Sequence, residues 1–156
     1  MNIPSRQFID YLVGQNKLSI PDGQRLELEA LQANAPIDEY IASHTQLDPL
    51  VMLQARAHFM QVQWIDISTT AVSPEAVNLI PEQIARKSTL IPFDIDQKAN
   101  TIKVAMKNPL DIESIDFIGK KSGKKVLPFL AVEAEILKSI DLAYTQGLTP
   151  DISDAL

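Results

Sequence analysis

The sequence predicts an α+β protein: a small N-terminal helical bundle followed by a mixed α/β lobe with a short sheet and flanking helices. Three observations carry this expectation. Residues 1–62 space their apolar side chains at helical intervals and are interrupted at Asn16, Ala35-Pro36 and Asp48-Pro49. Two short apolar runs, 90–95 and 101–106, flank the polar segment 96–100, the pattern of a hairpin with a loop of about five residues. Beyond the hairpin, helical and strand-like stretches alternate to residue 144. The expected organisation is a helical subdomain over 1–62, an α/β subdomain over 63–145, and a linker or tail over 146–156, where Gly147 and Pro150 sit in a short polar stretch.

Each element has a local reason. Pro4-Ser5 starts a helix to about Gln15, with Phe8, Ile9, Leu12 and Val13 on a broad apolar face that Tyr11 widens. Ile20-Pro21-Asp22 opens a second helix carrying Leu26, Leu28, Ala30, Leu31 and Ala33, although Gly23 weakens its first turn. Ile37, Tyr40 and Ile41 mark a third helix over 37–43. Asp48 caps a fourth, with Pro49 at its first position and Leu50, Leu53, Ala57 and Met60 along it. Four short helices with short links make a small bundle. Trp64-Ile65-Asp66-Ile67 reads as a strand, and 74–78 as a helical piece. Residues 81–87 fit a short helix with Pro81 early, where its missing N–H costs least. In the second hairpin strand Lys103 faces away from the apolar side. Asn108-Pro109 turns the chain, and Asp111 caps a helix to about Ile118, ended by Gly119 and Gly123. Residues 126–130 form a third strand and 132–144 a last helix.

Composition narrows the function classes. The chain has 156 residues, 46% of them hydrophobic, enough to build a core. Its net charge is −6. Residues 1–62 carry 4 basic and 7 acidic side chains, and residues 63–156 carry 10 and 13, so neither half reads as a nucleic-acid binder. Without cysteine there are no disulfides, thiolate metal sites or cysteine nucleophiles. No apolar run approaches the ~20 residues of a membrane span. Met1-Asn2-Ile3-Pro4 lacks the charged and apolar regions of a signal peptide. The expectation is a cytoplasmic protein without membrane insertion.

No residue set reads as catalytic. Gly119-Lys120-Lys121-Ser122-Gly123-Lys124-Lys125 invites comparison with a phosphate-binding loop. It has three residues between the glycines where that loop needs four, and Lys125 stands where Ser or Thr should be. It also follows a helix and precedes a strand, the reverse of the required context. It reads as a solvated basic loop, or as a patch for acidic protein, phosphate or lipid headgroups. His44 and His58 lie 14 apart on different expected helices, without metal-pair spacing. Glu27/Glu29, Asp38/Glu39 and Asp94/Asp96 lack the partners an acid/base dyad needs. Ser5, Ser19 and Ser122 have no nucleophile-elbow context. No catalytic, cofactor or metal residues are expected.

Residues 79–130 resemble a known family. Leu79-Ile80-Pro81, Ala85-Arg86-Lys87, Ile91-Pro92, Val104-Ala105-Met106, Asn108-Pro109-Leu110-Asp111 and Ser122-Gly123-Lys124-Lys125-Val126 occur in the order seen in the N-terminal domain of type II secretion and type IV pilus assembly ATPases. The resemblance implies a hexameric ATPase, with ATP and magnesium handled outside this chain, which has no Walker motif. It further implies a docking module that tethers the motor to the cytoplasmic part of an inner-membrane platform protein, peripheral to that membrane. Phe8, Tyr11 and Leu12 are the expected partner contacts, because five large residues in six positions make a face wider than a core stripe needs. A helix buried on two sides within its bundle is the other reading of that face.

The alternative function implied by the resemblance is binding of cyclic di-GMP. Relatives that look like sensors carry, twice, an arginine and two glycines around an apolar skeleton. Here the first copy has Gln7 for the arginine and Ile9 and Asn16 for the glycines, with Arg6 one residue out of register. The second has Pro36 for the arginine, and Asp38 and Thr45 for the glycines. Leu12, Val13, Leu18, Ile41 and Leu47 keep the skeleton, which packing alone explains. Losing bidentate arginine contacts and adding a carboxylate both disfavour a dianionic ligand.

Overall fold

The structure is a computed structural model. It describes the backbone of residues 2–155 and the side chains of residues 2–145. The chain divides into two compact units, Met1–Val62 and Gln63–Leu156, each taken by itself below.

The first unit is helical: α1 (Ser5–Gly14), α2 (Ile20–Gln32), α3 (Ile37–His44) and α4 (Pro49–Met60). The caps explain the starts. Ser19 accepts a hydrogen bond from the Asp22 N–H at 3.2 Å, and Asp48 accepts from the Leu50 N–H at 2.9 Å. Proline falls in the first turn of both helices, where no N–H is required. Asn16, Asn34 and Gln61 take left-handed backbone at the ends of α1, α2 and α4, which frees the chain to turn. The core forms around Phe8, Leu12, Leu26, Ile37, Ile41 and Met52. Gly23 does not break α2. It admits α1: a Cβ there would lie 2.6 Å from the Ile9 Cγ2.

The second unit begins with a correction. Trp64–Ile67 is not a strand: only Trp64 bridges to Leu130, and residues Ile67–Thr69 form a 3-10 turn. Asp66 causes this by accepting the Ser68 N–H at 3.1 Å, which closes the backbone into a turn. There follow α5 (Pro74–Asn78), α6 (Glu82–Ser88), β1 (Leu90–Asp96), β2 (Thr101–Met106), α7 (Ile112–Ser122), β3 (Lys125–Leu130) and α8 (Glu133–Ala155). The sheet order is β1-β2-β3, with β1 antiparallel to β2 and β3 parallel to it. The parallel pair requires a crossover, which α7 supplies.

β2 is the central strand, and Ile102, Val104, Ala105 and Met106 are all buried. The register of β1 shifts between Pro92 and Asp94, and Phe93 is buried at that irregularity. α7 runs to Ser122, past the expected stop near Ile118. Gly119 is helical, and Gly123 at φ 69° is the residue that ends the helix. α8 likewise continues beyond Tyr144 to Ala155. The expected linker or tail over 146–156 falls on residues whose side chains lie outside the described set. No helix among the described residues is long and apolar enough to cross a membrane.

Candidate interaction surface

Helix α1 places Phe8 and Leu12 in the bundle core, both at 0% exposure. A side chain with no free surface cannot contact a partner, which corrects the expectation for these two residues. Tyr11 is half-buried. Its ring stacks on His58 with centroids 4.6 Å apart and meets the Phe59 edge at 5.9 Å. The breadth of the α1 face therefore reflects burial on more than one side: Phe8 and Leu12 face the core, and Tyr11 covers the end of α4.

Unsatisfied apolar surface lies on α2 instead. Ile20, Leu28 and Leu31 are 64%, 55% and 77% exposed. At about 100° per residue they fall within an arc of about 80°, turned away from the buried stripe of Gly23, Leu26 and Ala30. Leu28 and Leu31 border a groove of ≈ 560 Å³ that Ile3, Arg6, Glu27 and Pro36 also line. Arg6 crosses from α1 to α2, its Nε and Nη2 each donating to the Glu27 carboxylate at 3.3 Å. Arg25 donates to Glu29 at 2.9 Å, and the Tyr40 hydroxyl donates to the same carboxylate at 2.9 Å. Those bonds hold the Glu29 carboxyl below its ordinary pKa, Arg25 first and Tyr40 second, and raise the Tyr40 phenol. The surface is thus an apolar strip with anchored charges at its border.

The sequence reading named Leu28 and Leu31 beside Leu26 and Ala30 as apolar residues of the second helix, without separating its faces. Their angular separation from Leu26 and Ala30 was the available signal: a helix against one bundle needs one apolar stripe, and α2 has two.

The remaining candidates do not converge. His44 stacks on Tyr40 at 3.8 Å and His58 on Tyr11. Among the described residues no group of three or more His, Cys, Asp or Glu could hold a metal. The Gly119–Lys125 stretch spans the end of α7, its turn and the start of β3, so it is no phosphate-cradling loop ahead of a helix. Of the positions aligned with the cyclic di-GMP motif, Ile9 is buried against Gly23, filling the space a glycine would leave open. Asn16 keeps a positive φ of 58°. Asp38 is held by Arg56, whose Nε donates to it at 3.0 Å. Pro36 caps α3 through its backbone position and offers no side-chain hydrogen bond.

A mixed three-stranded sheet flanked by helices, following four helices in the chain, defines an α+β fold. The MshEN domain model matches residues 60–150. The chain belongs to the MshEN domain family, the kind of N-terminal domain carried by type II secretion and type IV pilus assembly ATPases. It is 26% identical over 82 residues to the type IV pilus assembly ATPase PilB of Thermus thermophilus, a match spanning 53% of this chain and 9% of that relative's length. Its fold is similar to a structure of MshE with cdg, at TM-score 0.65 and 20% identity, covering 88% of this chain and 98% of that one. It is also similar to the N-terminal domain of XpsE, at TM-score 0.51 and 13% identity, over 90% of this chain and 97% of that one.

Proposed function

We propose that this chain is a non-catalytic docking module of a secretion or type IV pilus assembly ATPase. It tethers the motor to the cytoplasmic part of an inner-membrane platform protein and so holds it peripheral to that membrane. The observation that carries this reading is the second, exposed apolar stripe of α2, Ile20, Leu28 and Leu31, beside a groove. Such a stripe suits an apolar element of a partner laid along the groove, with Arg6 and Glu27 setting its orientation at the rim. Tethering needs no chemistry in this chain: binding one partner raises the local concentration of the motor. In the full-length protein ATP, magnesium and hexamer formation belong to other domains.

The test is calorimetric titration of the platform protein's cytoplasmic domain into the wild-type chain and into the double variant Leu28→Asp/Leu31→Asp. Both residues are exposed, so the variant keeps its helical circular dichroism. Its affinity is expected to fall at least about tenfold, since apolar anchors carry most of an interface's energy. Unchanged affinity would remove α2 as the contact face. Loss on Tyr11→Asp alone would move the contact to the end of α4.

A second reading is favoured by the fold similarity to a structure of MshE with cdg. Cyclic di-GMP would then regulate the module. Against it, Gln7 and Pro36 supply no guanidinium and Ile9 occupies the space beside Gly23. Calorimetry with cyclic di-GMP distinguishes the readings: heat at micromolar concentration supports a sensor, and its absence leaves docking alone.

A further inference from the structure

At one end of the second unit the β1–β2 loop lies against the turn joining α7 to β3. Asn100 links them: its carbonyl accepts the Lys125 N–H at 3.0 Å, and its side-chain amide donates to the Gly123 carbonyl at 3.2 Å. The junction gathers Lys98, Lys120, Lys121, Lys124 and Lys125. All but Lys124 are exposed, and none of the five pairs with a described carboxylate, whereas Lys103, Lys107 and Lys138 each do. Lys124 is held in place, its Nζ donating to Asn100 Oδ1 at 3.1 Å and Gln97 Oε1 at 3.5 Å. Two acidic residues belong to the same elements. Asp96 accepts the Lys98 and Ala99 N–H groups, and Asp116 lies one turn before Lys120 on α7. Of the 10 basic and 13 acidic residues in 63–156, five basic and two acidic ones sit here, leaving 5 basic and 11 acidic for the rest.

We propose that this end is an electrostatic docking surface for an acidic polypeptide segment of a partner. It is independent of the α2 face. Like charges held together repel, and an arriving carboxylate run relieves that repulsion. Lys120 and Lys121 also offset the carbonyl end of α7, but Lys98 and Lys125 lie outside that helix and have no such role. The scale of the patch argues for a segment over an extended anionic surface. A bilayer or nucleic acid would also meet the remaining negative charge of a chain at −6, whereas a short segment feels only charges within a screening length of about 8 Å. Gln97, Asn100 and Ser122 add amide and hydroxyl groups to the same surface.

The test is fluorescence anisotropy of a labelled octaglutamate peptide with the full chain at low salt. Lys98, Lys120, Lys121 and Lys125 are changed together to Gln in one variant and to Arg in another. The Gln variant is expected to bind about tenfold or more weakly while keeping its helical circular dichroism and cooperative unfolding. The Arg variant is expected to retain binding, and the wild-type affinity to fall with added salt. No binding at low salt, or equal binding by the Gln variant, overturns the proposal. So does lysine-dependent capture by phosphatidylglycerol-containing vesicles or by a single-stranded oligonucleotide without octaglutamate binding, which would assign the surface to lipid or nucleic acid.

Discussion

The two units constrain their sequences differently. In the first, helices meet through side chains alone, around Phe8, Leu12, Leu26 and Ile41. Such a core asks for volume and pattern and accepts many residue sets. In the second, β2 is paired on both edges and buried at Ile102, Val104, Ala105 and Met106, so register and turn geometry add demands that volume does not. Thr89, Asn100 and Gly123 hold positive φ at the junctions that set this arrangement. The family match follows the same division: it covers 60–150, almost all of it within the second unit. Only residues 60–62 of the first unit fall inside that match.

The largest effect that tests this contrast is a core truncation confined to one unit. Phe8→Ala should destabilise the helical bundle by about 3–5 kcal/mol, the usual cost of a large aromatic-to-alanine cavity. The single tryptophan, Trp64, lies in the second unit, where it bridges to Leu130. In urea, the far-UV helical signal should lose stability while the Trp64 fluorescence transition stays where it was. Coincident movement of both signals would mean that the units unfold as one, and the contrast between their cores would lose its thermodynamic meaning.

A smaller effect sharpens the account of α1 against α2. Gly23→Ala places a methyl 2.6 Å from Ile9 Cγ2, and should cost about 1–3 kcal/mol by overpacking. With Ile9→Ala in the same chain the cost of the added methyl should largely vanish, because the two residues share one space. Strictly additive effects by denaturant unfolding would show that Ile9 has not filled that space. This pair also marks what was legible in the sequence. The four helices, the hairpin and the third strand followed from period, caps and turn residues. The contribution of Gly23 did not, since local reasoning counts a glycine as a weak first turn and cannot see the neighbour that needs its missing side chain. The exposed face of α2 was not singled out for a related reason: Leu28 and Leu31 were read with Leu26 and Ala30 as apolar positions of one helix, and only their angle from Leu26 separates them. Trp64–Ile67 failed as a strand because Asp66 closes a turn, a side-chain effect that an apolar pattern does not carry. Gly119 misled as a helix stop, since only Gly123 takes the left-handed conformation that ends α7.

The smallest effect compares tyrosines in the two units. Tyr40 and Tyr144 are both raised above the ordinary phenol range, for different reasons: Tyr40 first by donating to Glu29, Tyr144 first by burial and then by the Glu82 charge. Tyr144 is pushed up to about 12, and its hydroxyl donates to the Ile80 carbonyl at 2.8 Å. A phenol raised in the folded state favours the protonated form there. Its stabilisation is complete below the unfolded pKa near about 10 and is lost as pH rises toward about 12. Stability of the second unit, followed by Trp64 fluorescence in urea, should therefore decline across that window. Tyr144→Phe should lower stability at neutral pH by about 1 kcal/mol, through loss of one hydrogen bond, and should flatten the alkaline decline. An equally steep decline in that variant would assign the alkaline sensitivity to other groups, and would leave Tyr144 as a packing residue whose hydroxyl contributes little.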